Sequence, residues 1–306
     1  MPAEPGSTDA RDAEASTDDQ WSQAGSVATF EDLQRELPLR SRDGLRFRVL
    51  RAASRTGALV SEGLRIGHER GFDSGPFMAH VYADTPRGRT AVGRGLDRRL
   101  LSRPTCRAFR EIRGLAERAV RTAIADRGDG DVTVADLAAG PAPYLLDALS
   151  EYPCARAILC DIDAAAIRQA ADAAAARGLA DRVQTHTLDA FDARALAGLA
   201  PSPDIVLELG LYGIYHDDAL IERHFADLAR TVAPARIVCN VQVRNPEIEY
   251  IARVWQTRLG ERCVWRLRPA EQILGYADAA GYEPLGVEAD SAGIYRVMRL
   301  RRRDDR

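Results

Sequence analysis

The chain has 306 residues, 46% of them hydrophobic and 28% charged, with a formal net charge of −3 at pH 7. That length and apolar content suit one large α/β domain, or a ~200-residue domain with an extension, and exclude global disorder. Near-neutral charge removes any general drive toward nucleic acid, and no apolar run approaches the ~18 residues of a membrane span.

The first 28 residues hold six acidic side chains against one arginine before Trp21 and show no periodicity, so a disordered tail is expected there. They also lack the basic-then-apolar order of a secretory signal, which sets a cytoplasmic expectation. Residues 29–130 read as a helical N-terminal cap. Helical spacing runs through 45–66, and 105–126 forms one amphipathic helix with Phe109, Ile112, Leu115, Ala116, Ala119 and Ile124 near one face. Between them, 71–95 is rich in Gly, Pro and Asp and reads as loop, with 77–82 extended.

From residue 131 the texture changes to short apolar strands alternating with helices. Strands are expected at 132–137, 156–161, 182–187, 204–209 and 236–241, and helices at 144–151, 164–177, 193–199 and 218–232. Asp163 is placed to cap the second of these helices and Gly178 to end it. This βαβ rhythm implies a doubly wound, mostly parallel, Rossmann-like sheet spanning 131–306. At the end, 263–267, a helix at 271–280 and a strand at 294–300 suggest a closing hairpin on the sheet edge. The five cysteines are odd in number and scattered, and fit buried thiols of a reducing compartment. No metal is expected: there is no CxxC pair, and His216 and His224, eight residues apart, would sit ~12 Å apart along a helix.

In such a sheet, ligands bind beyond the carboxyl ends of the strands. The first strand runs into Asp136-Leu137-Ala138-Ala139-Gly140-Pro141-Ala142-Pro143-Tyr144, where Ala138 and Gly140 allow a tight turn and a close ligand approach. The second ends 25 residues later at Asp161, with Ile162 beside it, and the third runs into Leu188-Asp189-Ala190-Phe191. Asp161 suits a pair of ribose hydroxyls, Asp189 with Ala190 an adenine amine, and Phe191 a ring face. Three acids at successive strand ends repel a pyrophosphate but welcome the cationic aminoacyl sulfonium of S-adenosylmethionine, with Asp136 near its ammonium group. The GxGxxG fingerprint fails at Pro143, and there is no Walker loop.

These residues, with Ala279-Ala280-Gly281-Tyr282-Glu283-Pro284 near the end, make 131–300 resemble a class I S-adenosylmethionine-dependent methyltransferase. Gly71-Phe72-Asp73-Ser74-Gly75 with Val81-Tyr82, Gly95-Leu96-Asp97-Arg98 and Gly210-Leu211-Tyr212 narrow the likeness to a bacterial methyltransferase family of unassigned substrate. The resemblance covers about 40–300. It implies a seven-stranded sheet, an integral cap, S-adenosylmethionine as cofactor, and cofactor roles for Asp136, Gly140, Asp161 and Asp189. Ala142 departs from it, standing where such loops often carry a third glycine.

Methyl transfer needs an oriented nucleophile more than an acid, and a base only where the acceptor must lose a proton. The expected catalytic residues are His216 as base, Tyr212 as orienting group, and Glu208 at the end of the fourth strand. Tyr82, Tyr215, Gln242 and Asn245 are the expected substrate contacts. Asp73 is a candidate closing group in the cap, whereas Arg94, Arg98 and Arg99 read as a solvated face. The expected partner is a small-molecule acceptor, not nucleic acid or membrane, and a homodimer stays open. Three alternatives stand beside this reading: a non-catalytic cofactor-binding subunit, a related enzyme that uses the sulfonium for another displacement such as ring closure, and a nucleotide-cofactor oxidoreductase.

Overall fold

The computed structural model describes residues 28–128 and 130–304, so almost all of the expected tail lies outside the described residues. Among the described residues six helices precede the first strand: α1 (Phe30–Gln34), α2 (Arg42–Gly57), α3 (Glu62–Arg70), α4 (Gly75–Ala83), α5 (Ala91–Leu101) and α6 (Pro104–Ala125). Each of α1 to α5 starts on a hydroxyl side chain, from Thr29, Ser41, Ser61, Ser74 and Thr90 in turn, that accepts a backbone N–H of its first turn.

The region expected as loop, 71–95, is corrected by α4 and α5. Ser74 caps α4 and Pro76 sits in its first turn, so the Gly-Pro signal marks a helix start rather than a loop. Residues 77–82 are therefore helical, with Phe77, His80 and Val81 on the buried face. In α5 the buried row is Gly93, Asp97, Leu100 and Leu101. Asp97 is fully enclosed and takes four donors: Ser61 Oγ at 2.8 Å, the Gly63 N–H at 2.7 Å, His80 Nε2 at 2.9 Å and the Arg87 N–H at 2.8 Å. One carboxylate thus joins α3, α4 and α5.

The sheet contains β1 (Val132–Asp136), β2 (Ala155–Asp161), β3 (Val183–Thr187), β4 (Ile205–Glu208), β5 (Arg236–Gln242), β6 (Tyr282–Ala289) and β7 (Tyr295–Arg302). Their order is β3-β2-β1-β4-β5-β7-β6, with β1 to β5 parallel and β7 antiparallel between β5 and β6. The order reverses at β1 and β4, which opens a crevice beyond their carboxyl ends. The connecting helices are α7 (Pro143–Glu151), α8 (Ala164–Ala176), α9 (Ala193–Ala197), α10 (Asp218–Thr231), α11 (Ile248–Val254) and α12 (Ala270–Ala279). Asp163 caps α8 through the Ala165 N–H, and Gly178 follows that helix at φ +69°. The helix α11 was not anticipated, and 263–267 forms no strand.

Apolar packing covers both faces. Val134, Leu159 and Ile205 meet α6, α7 and α8 on one side, while Ala135, Val206 and Ile237 meet α9, α10 and α12 on the other. A third core, in the cap, centres on Phe72, Phe77 and Trp255. Trp255 follows α11 and stacks on Phe72 with centroids 4.7 Å apart and planes 7° off parallel. The expected division near 130 falls after α6, yet α6 packs on β4, β5 and β7, so cap and sheet share that helix. Among the described residues no helix is long and apolar enough to cross a membrane.

Candidate active site

The crevice is built from the ends of the first four strands. After β1 the chain turns through Leu137 to Ala142. Gly140 adopts φ +51° with nothing within 4 Å of where a side chain would begin, so its outer face is open. Ala142, in the glycine-like position, is held at φ 45° and fully buried, a strained start for α7. Asp136 is wholly enclosed. One of its oxygens accepts the Ala138 N–H at 3.3 Å and the other the Tyr144 hydroxyl at 2.5 Å. Burial pushes the Asp136 carboxyl up to about 7; the Tyr144 and Ala138 hydrogen bonds oppose that rise, and nearby Asp161 and Glu208 add to it.

Strand pairing fixes the next two acids. Asp136 lies opposite Leu159, and Asp161, two residues on, lies opposite Thr187. The Asp161 carboxylate bridges two turns, accepting the Gly140 N–H at 2.9 Å and the Asp163 N–H at 2.8 Å. Ile162 follows it and is 58% exposed, an apolar side chain left at the mouth of the crevice. Past β3, Asp189 accepts the Phe191 N–H at 2.9 Å, Ala190 is buried, and Phe191 packs on Tyr215 with centroids 4.4 Å apart. Among the described residues no arginine forms a salt bridge to Asp136, Asp161 or Asp189. Nor do the described residues contain a cluster of acidic, His and Cys side chains suited to a metal ion.

The residues expected to be catalytic fall in two places, Glu208 and Tyr212 in the core and His216 at the surface. Glu208 shares the α10 side of the sheet with Val206, and both it and Tyr212 are fully buried. Glu208 Oε1 lies 2.7 Å from His224 Nε2, whereas Glu208 Oε2, His224 Nδ1 and the Tyr212 hydroxyl have no hydrogen-bond partner among the described residues. Tyr212 packs on Phe225 at 5.6 Å, and its hydroxyl is pushed well above its ordinary range by burial and by Glu208 beside it. His224 is the residue that sequence reasoning missed; the signal was a histidine on the apolar stripe of α10, three residues after Ile221 and one before Phe225.

His216 stands apart from that buried group. It is exposed, its Nε2 lies 2.8 Å from the Val264 carbonyl oxygen, and its ring meets Phe30 at 4.7 Å, so it ties α1 and the 264 segment together. Buried Arg268 fixes this loop by donating to the Tyr212 and Tyr215 carbonyls and, at 2.7 Å, to Asp218. Tyr215, expected at the substrate, instead stands against Phe191 at the β3 end. Asn245 is enclosed and bonded to Thr105 Oγ1 at 3.2 Å and the Glu247 N–H at 2.8 Å, which joins the start of α6 to the sheet. Gln242 is buried and donates to the Tyr295 hydroxyl at 3.0 Å. Tyr82 reaches the same seam from α4, with the Arg113 guanidinium 5.1 Å above its ring. The cap is also tied to the turn after β2. Asp73 accepts the Arg258 N–H at 2.7 Å, and the Arg258 side chain meets Asp163 at 2.8 Å.

Comparison with known proteins agrees with this architecture. Residues 7–302 match the family described as "Putative methyltransferase". The Escherichia coli K12 protein YnbC is 31% identical over 266 residues, which cover 85% of this chain and 46% of YnbC, so the chain spans just under half the length of that relative. A crystal structure of a "possible exported protein" from Bordetella parapertussis superposes with a TM-score of 0.59 at 19% identity, covering 86% of this chain and 99% of the other. Magnesium protoporphyrin IX methyltransferase of Synechocystis PCC 6803, solved with bound S-adenosylhomocysteine, superposes with a TM-score of 0.52 at 13% identity, covering 76% and 97%. At such identities the likeness is one of fold. The chain belongs to this methyltransferase family and has the class I methyltransferase fold.

Proposed function

We propose that the protein is an S-adenosylmethionine-dependent methyltransferase acting on a small-molecule acceptor held between the cap and the sheet. The observation that carries this reading is the set of three strand-end carboxylates that, among the described residues, have no arginine partner in an arginine-rich chain. Such a set suits a ligand that brings its own positive charge and repels a diphosphate. The residues present fit this donor: the open face at Gly140 admits close approach, and exposed Ile162 and the Phe191 ring offer apolar surface to a purine.

When bound, S-adenosylmethionine supplies an electrophilic methyl group on a positively charged sulfur. In this assignment Asp136 holds the ammonium end, Asp161 orients the ribose diol, and Asp189 with the Ala190 backbone reads the base. The enclosed carboxylate of Asp136 and the cap above it exclude water from the reacting end, and positioning provides the main rate advantage. None of these roles needs a metal or a general acid.

Calorimetry with S-adenosylhomocysteine and with NAD tests the donor. Tighter binding of NAD would overturn it. Asp161→Ala is expected to weaken S-adenosylhomocysteine by ~1–3 kcal/mol, the range for hydrogen bonds to a charged group. Asp161→Asn, which keeps an acceptor for the Gly140 N–H, should retain part of that affinity. Transfer of a labelled methyl group to a small-molecule extract separates an enzyme from a binding subunit, which would bind without transfer.

A further inference from the structure

Helix α2 is apolar on two opposite sides. Its inner row contains Gly44, Phe47, Ser54 and Gly57, all buried. On the outer side Leu45, Val49 and Ala52, at helical spacing, fall on one line and are exposed, Leu45 by 56% and Val49 by 60%. Exposed arginines border that line, Arg42 and Arg46 along one edge and Arg48 and Arg55 along the other. The one acid of α2, Asp43, lies in its first turn toward the buried row.

The apolar line continues across the cap. Leu39, exposed just before α2, has its carbonyl oxygen 3.4 Å from the Arg48 guanidinium. At the other end Leu96 of α5 comes 3.6 Å from where a Gly57 side chain would begin, and Val92, one turn before it, is 71% exposed. With Leu59, in the turn after α2, six of the ten large apolar side chains exposed among the described residues belong to 39–96, whereas the other four stand in separate places. Charge follows the same distribution. Helices α2 and α5 carry eight arginines, and among the described residues none of them forms a salt bridge. Their acids are Asp43 and Asp97, and Asp97 is enclosed by its four donors. The expectation of no membrane contact rested on a net charge of −3 and on the lack of a spanning run, and neither describes a single face.

Aliphatic side chains bordered by arginines select their occupant. A second copy would set these arginines against themselves across a two-fold axis. A nucleic acid makes little use of leucine and valine, and neither helix exposes an aromatic ring on which a base could stack. Tryptophan and tyrosine, the strongest anchors of protein interfaces, are absent from both helices. An anionic bilayer answers both kinds of side chain. Its hydrocarbon boundary takes the aliphatic line, and its phosphates take guanidinium groups carried on apolar stems.

We propose that the cap docks peripherally on an anionic lipid bilayer through α2 and α5, with Leu45, Val49 and Leu96 entering the headgroup boundary and the bordering arginines against lipid phosphates. Nothing in this arrangement crosses the bilayer, and among the described residues no helix is long and apolar enough to do so. Docking of this kind does not depend on what the crevice binds.

Flotation of the full chain with vesicles of phosphatidylcholine alone, or with ~30% phosphatidylglycerol added, supplies the test. The anionic vesicles should bind it at least ~10-fold more tightly than the neutral ones, and ~0.5 M salt should remove most of that difference. Leu45→Ser with Val49→Ser should weaken binding ~10-fold or more. Arg46→Gln with Arg55→Gln should weaken it ~10–30-fold. Ile214→Ser and Leu259→Ser, exposed elsewhere, should leave it unchanged. All six replaced side chains are exposed, so an unchanged circular dichroism spectrum is expected of each variant and separates lost docking from a lost fold. Equal binding to neutral vesicles, no binding to either kind, or binding that the Leu45 and Val49 changes leave untouched would overturn the proposal. So would a dimer in sedimentation velocity that those two changes dissociate, which would give the face to a second copy, or tighter binding to duplex DNA than to the anionic vesicles.

Discussion

Asp136 illustrates how much a single buried carboxyl can report. Its ordinary value is 3.8 and the fold raises it to about 7. A raised carboxyl means that the native state holds the proton more tightly than the unfolded chain. Enclosing Asp136 therefore costs no stability below about pH 4, and the cost grows as pH rises toward about 7. A ligand ammonium seated on this group requires the ionised form. Affinity for S-adenosylmethionine should thus fall as pH drops through about 7, and calorimetry across that interval should record proton release on binding near the midpoint. Flat affinity would dissociate Asp136 from the cation. The strand-end positions of Asp136, Asp161 and Asp189 were legible in the sequence because a strand end followed by a turn is recognisable from local pattern alone. Glu208 and Tyr212 were not, since a strand buried on both faces gives no alternation from which to tell which way Glu208 points. His216 misled for a related reason: its intrinsic pKa suggested chemistry, but its partner is a backbone carbonyl 48 residues away.

At the scale of elements, the parallel strands fell within a residue of their expected ends, because a short continuous apolar run flanked by helices buries both its faces most readily inside a parallel sheet. The cap was harder. Its helices α4 and α5 begin at Ser-Gly-Pro and Thr-Ala, and their glycines read as loop until tertiary packing shows why they are there. At Gly93 of α5 an added side chain would collide with the Val60 carbonyl oxygen, and at Gly63 of the neighbouring α3 one would come within 2.8 Å of both Asp97 and His80. Asp97 organises this corner. Burial alone would raise its carboxyl, but hydrogen bonds from His80, the Arg87 N–H, Ser61 and the Gly63 N–H hold it below the ordinary value. A depressed carboxyl contributes stability above its unfolded pKa and loses it as pH falls through the folded one, so the cap should loosen in acid below about pH 4. Asp97→Ala leaves four donors unanswered and should cost about 3–5 kcal/mol in urea denaturation. A loss under about 1 kcal/mol would show that the corner does not depend on this carboxylate.

The molecule as a whole is bound into one unit by α6, whose 22 residues begin at the cap and end on the sheet layer. Cys106 near its start packs with Phe72 and Trp255, while Leu115, Ala119 and Ile124 pack with Val132 and Val134 of β1. Unfolding followed by tryptophan fluorescence, which reports the Trp255 seam, and by far-ultraviolet circular dichroism should therefore give coincident transitions. Two separated midpoints would mean that the cap opens independently.

Ile162 stands more than half open to water beside a carboxylate that points inward. Covering that side chain together with the free face of Phe191 would release ordered solvent, and the thermodynamic trace of such release is a drop in heat capacity. The enthalpy of donor association should accordingly become more negative with rising temperature, and Ile162→Ser should flatten that slope.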